Sequence, residues 1–382
     1  MKYPILVGGL AAACAVVMPL TASAQSSVTL YGVVDAGVTH LSNGGNGSVN
    51  LLSNSAYGTS RLGFRGSEDL GGGWRANFVL EGGMNNDTGT GVPSNSNNQA
   101  SGAGTGTGFT FNRLSYVSLA GPMGEVRMGR DFSLAHWSTI FFDTFNQNGV
   151  AKVGNLSYGA TGTGPLFTTI VTSNTISYWL PKNLGGVYGA VMVGLGENGS
   201  GSPASKDGNY YAGRLGYAQG PFDIAAAISQ TKYASTATLG NYTHANIGGS
   251  YDAGFAKFFA LYNRVDVDLA PGKVRKTTID VGAHIPVSPQ GKIRVSYAML
   301  SDSSSTSLRN ANGTARDSND ARQIGIGYVH DLSKRTALYG TFTYVDNRGS
   351  INLPVASGAL NGPTPVAGGN ASGFDIGLRH SF

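Results

Sequence analysis

The sequence predicts an all-β fold: a 16-stranded antiparallel transmembrane β-barrel with short turns at one rim and long loops at the other. Three observations predict it. Ser372 to Phe382 alternates along its whole length, with Phe374, Ile376, Leu378, His380 and Phe382 on one face and Asp375, Gly377, Arg379 and Ser381 on the other, the period-2 pattern of a strand between apolar and polar surroundings. Val28 to His40 alternates in the same way, with Leu30, Val34 and Val38 opposite Thr29, Tyr31 and Asp35. Two patterned strands at opposite ends of a chain would be open edges in an ordinary sheet, and pairing them closes the sheet into a barrel. The third observation is that about ten-residue alternating segments recur throughout, the pattern of an outer-membrane barrel.

The chain opens with a segment expected to be removed. Lys2 supplies a positive start, Ile5 to Leu20 an apolar run, and Ala22-Ser23-Ala24 a cleavage signal before Gln25, so residues 1–24 read as a signal peptide and 25–382 as one barrel domain. Cys14 is the only cysteine, and the small Ala11 three positions before it argues against a lipoprotein site. The mature chain then has no thiol for disulfides or nucleophilic catalysis. Loss of Lys2 leaves 25 basic against 21 acidic side chains, too mild and too scattered a balance for nucleic-acid binding. Glycine (58), tyrosine (18) and phenylalanine (16) are abundant and only 12% of residues are charged, yet no mature stretch has the roughly 18 apolar residues of a membrane helix.

Alternating segments begin near Val28, Tyr57, Gly73, Phe109, Gly124, Thr172, Val187, Asn209, Phe222, Tyr242, Phe255, Val274, Lys292, Ala321, Arg335 and Gly373. Sixteen is an even number, as single-chain bacterial barrels require. In Trp74 to Glu81 the face carrying Trp74, Ala76, Phe78 and Leu80 opposes Arg75, Asn77, Val79 and Glu81. A charged side chain facing lipid at mid-depth costs about 2–4 kcal/mol, so the charged face lines the lumen. Short links at Glu68 to Gly73, Gly121 to Gly124, Pro181 to Gly186, Gln219 to Phe222, Asp252 to Gly254, Pro286 to Gly291 and Asp331 to Lys334 alternate with Gly/Ser/Asn/Thr-rich stretches such as Asn85 to Gly108, Ser301 to Asp320 and Asn347 to Ser372. Those are the periplasmic turns and external loops of such a barrel.

Gln25 to Gly37 (QSSVTLYGVVDAG), Ser60 to Gly73 (SRLGFRGSEDLGGG), Gly124 to Asp131 (GEVRMGRD), Gly327 to Gly340 (GYVHDLSKRTALYG) and the ending Gly377 to Phe382 (GLRHSF) resemble the general porins of Gram-negative outer membranes, most closely their β-proteobacterial branch. The resemblance implies a homotrimer of barrels in outer-membrane lipid, each with a water-filled pore narrowed by an infolded third external loop, passing small hydrophilic solutes and ions. Here that loop is Phe132 to Val171, rich in Phe132, Trp137, Phe141, Phe142 and Phe145 and carrying the charges Asp143 and Lys152. Its aromatics are expected to pack it against the barrel wall. Asp143, with Asp131 at the base of the loop, is the acidic candidate for the narrowest point, and the likeness points to Arg61 and Arg113, then Arg65 and Arg130, for the opposite wall, with Glu81 on the same inner face. Just before the sixth strand the family pattern R-x-x-N-[ST]-[IVL]-x-Y is kept from Asn174 to Tyr178, but Val171 stands in the arginine's place. The expectation is therefore a weak anion preference carried mainly by Arg61 and Arg113; the alternative is that Lys152, reaching back from the loop, compensates for Val171. Phe382 is the expected recognition signal for membrane assembly.

Other functions find little support. Gly194 to Gly199 matches the glycine spacing of a dinucleotide-binding turn but runs into Ser200-Gly201-Ser202-Pro203 with no helix, and the six histidines lack metal-binding spacing. No cofactor or metal is expected, and no enzyme activity. The alternative reading is a plugged structural or adhesin barrel without an open channel.

Overall fold

The computed structural model describes residues 27–95, 97–102, 104, 108–158, 166–310, 312–357 and 360–382. The expected signal peptide lies outside the described residues. Sixteen long strands form one closed antiparallel sheet. In chain order they are β1 Ser27–Asn43, β2 in two segments Ser48–Asn54 and Arg61–Gly71, β3 Trp74–Asn85, β4 Leu114–Gly121, β5 Gly124–Phe132, β6 Val171–Trp179, β7 Val187–Gly194 and β8 Tyr210–Gln219. The second half comprises β9 Phe222–Thr231, β10 Leu239–Asp252, β11 Lys257–Leu269, β12 Gly272–Pro286, β13 Gly291–Asp302, β14 Ala321–Asp331, β15 Thr336–Asn347 and β16 Ala371–Ser381.

Closure follows the expected pairing. β16 bonds to β15 on one side and to β1 on the other, in register from Val33 opposite Ser381 to Asn43 opposite Ala371. Phe382 completes the seam: its N–H donates to Gly32 O and its carbonyl accepts from Gly32 N, each at 3.1 Å. Val34, Val38, Phe374, Ile376 and Leu378 are exposed on the outer face, while Asp35, Thr39 and Asp375 are buried inside. All seven short links of the sequence reading connect strands at one rim. At the other rim the β11–β12 connection is as tight as a periplasmic turn, whereas the loops after β3, β5, β13 and β15 are long.

Two boundaries differ from the sequence reading. The second strand begins at Ser48 and not near Tyr57, and it breaks between its segments. The break has a local cause: the Asp35 carboxylate accepts the N–H groups of Tyr57 and Gly58 at 2.8 and 2.6 Å, and Ser60 Oγ accepts from Asp35 N, so side chains replace the ladder there. The fourth strand starts at Leu114, five residues after Phe109, because Phe109 and Thr110 lie across Gly82 of β3.

The connection from β5 to β6 folds into the barrel. Among the described residues it carries two α-helices, α1 Leu134–Phe142 and α2 Gly154–Ser157. Ser133 caps α1 by accepting the His136 N–H at 3.2 Å. α1 packs on the inner wall at β7 to β11, and α2 on β11 to β14. Leu134, Phe142, Phe145, Val150, Val153 and Leu156 are fully buried, each burial contributing about 1.5–3 kcal/mol. Part of this core is supplied by the loop after β15, through Ile351, Leu353 and Val355. Wall glycines make the seats: a Cβ on Gly248 would lie 2.6 Å from the Phe142 ring, and one on Gly325 2.7 Å from Ala151 Cβ. Polar pins fix the path, with Val150 N donating to Asp375 Oδ2 at 2.8 Å and Gln323 Nε2 to Ala151 O at 2.9 Å.

Because Gly325 is a seat for the loop, Gly325→Leu is expected to destabilise the folded barrel by about 1–3 kcal/mol through overpacking. Thermal unfolding in detergent, read by circular dichroism, measures this. A variant as stable as the wild type would mean that the loop does not press on β14.

Candidate functional site

The inner face of β2 and β3 and the entry to β4 supply the charges of the site. Alternation puts Arg61 and Glu81 on the lumen side of neighbouring strands, and Arg113 precedes β4 with its N–H bonded to Glu81 O at 3.1 Å. The three side chains converge: Glu81 Oε2 lies 3.3 Å from Arg61 Nε, and Glu81 Oε1 lies 2.6 Å from Arg113 Nε. The Tyr31 hydroxyl donates to Glu81 Oε2 at 3.1 Å. Arg61 is further held by donation from Nη1 to Thr59 O at 2.9 Å. Two guanidinium groups thus share one carboxylate, which fixes their positions and leaves the triad net positive.

Arg130 joins the same cavity from β5. It donates to Asn112 O, Ser173 Oγ and Asn95 Oδ1, all uncharged acceptors. Arg65, four residues after Arg61 and nearer the periplasmic turn, is exposed, with its guanidinium 5.4 Å from the Tyr31 ring. It is not among the residues lining the cavity.

Among the described residues, neither Asp131 nor Asp143 lines the cavity of the arginines. Asp131 is buried and pairs with Arg127 Nη1 at 3.1 Å while accepting its neighbour's Phe132 N–H at 2.7 Å. Asp143 is turned into the loop itself, accepting the N–H groups of Phe145 and Gln147 at 3.2 and 2.7 Å and the Gln147 side chain at 2.8 Å. These bonds hold Asn146 and Gln147 at positive φ, 53° and 60°. Burial pushes the Asp143 carboxyl up to about 6, and these backbone donors oppose that shift. A loop crossing a lumen must satisfy its own backbone groups, and Asp143 serves that purpose together with Asp375 from the wall, which accepts the Val150 N–H.

The arginines therefore face a different surface. Between them and the infolded loop lies a cavity of about 940 Å³. Among its described lining residues the cationic side chains are Arg61, Arg113, Arg130 and Lys152, against the single carboxylate Glu81. Val171 lines it as well, at the place where the family pattern has arginine. His136, also in the lining, is kept neutral because burial pushes its imidazole down to about 3. Burial pushes the Lys152 ammonium down to about 8, against the attraction of Asp375 and Asp143. Sequence reasoning missed Tyr31, Asn95 and the inward turn of the last loop, whose signal is the apolar alternation Ile351, Leu353, Val355 inside a polar stretch.

A closed sixteen-stranded barrel with an apolar exterior, a charged lumen and an inward loop is an outer-membrane channel. The comparisons with known proteins agree. The profile described as Gram-negative porin matches residues 9–350. Outer membrane porin protein 32 of Delftia acidovorans is 33% identical over 364 residues, spanning 94% of this chain and 95% of that protein. The solved structure titled anion-selective porin from Comamonas acidovorans superposes with a TM-score of 0.80 at 32% identity, covering 94% of this chain and all of that one. OmpT of Vibrio cholerae in its trimer form, 13% identical with a TM-score of 0.65 over 94% of this chain and 99% of that one, shares the fold. The chain belongs to the Gram-negative porin family. It is a passive diffusion pore of the outer membrane for small hydrophilic solutes and ions, constricted by the loop between β5 and β6.

Lys152 makes the lining charge depend on pH. A group with its pKa near 8 is cationic below that pH and neutral above it, so the anion-to-cation permeability ratio is expected to fall between pH 7 and pH 9. Reversal potentials in a potassium chloride gradient check this. Lys152→Met should flatten the profile; a wild-type ratio constant across that range would show that Lys152 does not titrate there.

Proposed function

We propose that the pore prefers anions, and only weakly, through the positive lining formed by Arg61, Arg113 and Arg130 with Lys152. The observation that carries this reading is the excess of cationic side chains over the lone Glu81 around one cavity. Arginine keeps its charge at every relevant pH, so the field is permanent. Its reach is about 8–10 Å near physiological salt, comparable to a narrow pore, so the preference fades as salt rises. Glu81 between Arg61 and Arg113, and valine at 171, keep the preference modest. With Asp131 and Asp143 turned away from the cavity, the field is one-sided and not transverse. The relative from Comamonas acidovorans is titled anion-selective, in agreement with this sign.

A plugged adhesin barrel is not favoured, because the family and the similar proteins are outer-membrane porins. The absence of enzyme activity rests on family and fold alone. A homotrimer is part of the same proposal. A lipid-spanning strand tilted by about 45° needs about 9–11 residues, and β4 and β7 have eight each. The four strands β4 to β7, of eight or nine residues, are at or just below that length, which supports neighbouring copies covering this side. A detergent-solubilised particle with the protein mass of a single chain would count against the trimer.

The test of selectivity is the reversal potential of the wild type, Arg113→Gln and Val171→Arg in the same salt gradient. A modest anion preference is expected for the wild type, lower in Arg113→Gln and higher in Val171→Arg. If all three coincide, the selective charges lie elsewhere in the pore.

A further inference from the structure

A cluster of charge stands on the outer face of β11 and β12, where the barrel meets lipid. The inner side chains of these strands are engaged inside the barrel: Val265 and Val274 pack with Tyr242 and Leu166, and Lys276 pairs with Asp302. Alternation therefore turns Arg264, Asp266 and Arg275 outward, on the face of the exposed Tyr262 and Ile279. Asp266 stands opposite Arg275 in the ladder. Its Oδ2 lies 3.1 Å from Arg264 Nη2 and its Oδ1 2.9 Å from Arg275 Nε, with the two arginine side chains 38% and 37% exposed. Among the described residues Asp266 is the only ion-pair partner of either guanidinium. Nearer the rim, Lys273 and Asp268 pair with each other at 2.9 Å, so the patch stays net positive. Its depth is unusual for charge. Phe258 is paired with Tyr251, whose ring lies 4.7 Å from that of Phe222, in an aromatic girdle at the periplasmic end. At about 3.4 Å per residue and a tilt of about 40°, Arg264 and Asp266 lie roughly 16–21 Å above that girdle, inside the roughly 25 Å apolar band. Charge facing lipid there is unfavourable without a counter-charge. Neighbouring copies do not supply one, since the side assigned to them, β4 to β7, is across the barrel.

We propose that Arg264 and Arg275 bind the phosphate of a lipid in the outer leaflet, with its acyl chain lying along Tyr262 and Ile279. A guanidinium is weakly hydrated and its planar fork matches phosphate oxygens, so it suits a site at the edge of hydrocarbon. Asp266 engages Nε and Nη2 of Arg264 and Nε of Arg275, which leaves Arg264 Nη1 and both Nη atoms of Arg275 to donate to the ligand. One carboxylate thus fixes two cations without neutralising them. A lipid brings its phosphate to this depth attached to chains that belong there, whereas a soluble anion would have to leave water to reach it. The tight β11–β12 connection leaves no long loop of its own above the patch. The site lies on the outside of the wall and is independent of the anion preference proposed for the lumen.

Native mass spectrometry of the protein purified from outer membranes in non-ionic detergent tests this, with dipalmitoyl phosphatidic acid, dipalmitoylglycerol and inorganic phosphate as probes. Phosphatidic acid is expected to bind in a saturable way, and dipalmitoylglycerol, with the same chains and no phosphate, is not. Arg264→Gln combined with Arg275→Gln should raise the half-saturating concentration of phosphatidic acid about 10- to 30-fold. Lys334→Gln combined with Arg335→Gln, which removes two exposed cations at a periplasmic turn, should leave it unchanged. Asp266→Asn keeps both arginines and should bind at least as tightly as the wild type, which separates recognition of phosphate from a folding defect in the cluster. Equal binding of the two lipids overturns the proposal, as does a double arginine variant that matches the wild type or an Asp266→Asn variant that loses binding with it. Displacement of phosphatidic acid by an equal concentration of inorganic phosphate would assign the patch to soluble anions and overturns it as well.

Discussion

A strand in a bilayer cannot leave its backbone groups unpaired, because no water is available to satisfy them and each unsatisfied group costs several kcal/mol. Everything in this protein follows from meeting that constraint by closure. The seam between β1 and β16, completed by the reciprocal bonds of Phe382 and Gly32, removes the last free edge. Closure then divides every strand into a lipid face and a lumen face, which is why charges gather inside. It also creates an interior too wide for side chains from the wall alone to fill.

The infolded loop fills part of that interior and turns a wide barrel into a narrow pore. It behaves as a small internal core, with Phe142, Val150, Val153 and Leu156 buried against wall residues and against the last external loop. Two features make a loop rigid in such a position. Glycines at 248 and 325 open space in the wall for bulky loop side chains, and Asp143 gathers the loop's own N–H groups at its sharpest bend. Rigidity matters for function because a filter that relies on fixed charges needs fixed distances.

The electrostatic design is asymmetric. Arg61 and Arg113 are held apart and in place by one shared carboxylate, and Arg130 by neutral acceptors. The facing loop contributes Trp137, Ile140 and Lys152, with Asp143 withdrawn. Such a constriction presents its positive charge from one wall. Weak, distributed contacts of this kind let solutes leave as readily as they enter.

The architecture was legible in the sequence because lipid imposes a period of two on every strand, and because turns and loops differ in composition. Fifteen of the strands lie where alternation begins, within five residues, and the seven short turns were all readable. The second strand was misread because Asp35, remote in sequence, captures the backbone of Tyr57 and Gly58. For the site, the family motifs marked Arg61, Arg113 and Arg130, and alternation placed Glu81 on the inner face. Where Asp143 points was settled only by tertiary structure: a carboxylate turns to whichever donors lie within hydrogen-bonding reach, and while Asp131 meets Arg127 four residues earlier on its own strand, the path of the loop brings the loop's own amides to Asp143. The exposure of Phe141 inside the lumen was likewise undetermined by sequence, since composition records an aromatic residue but not the side of the helix that the barrel wall leaves uncovered.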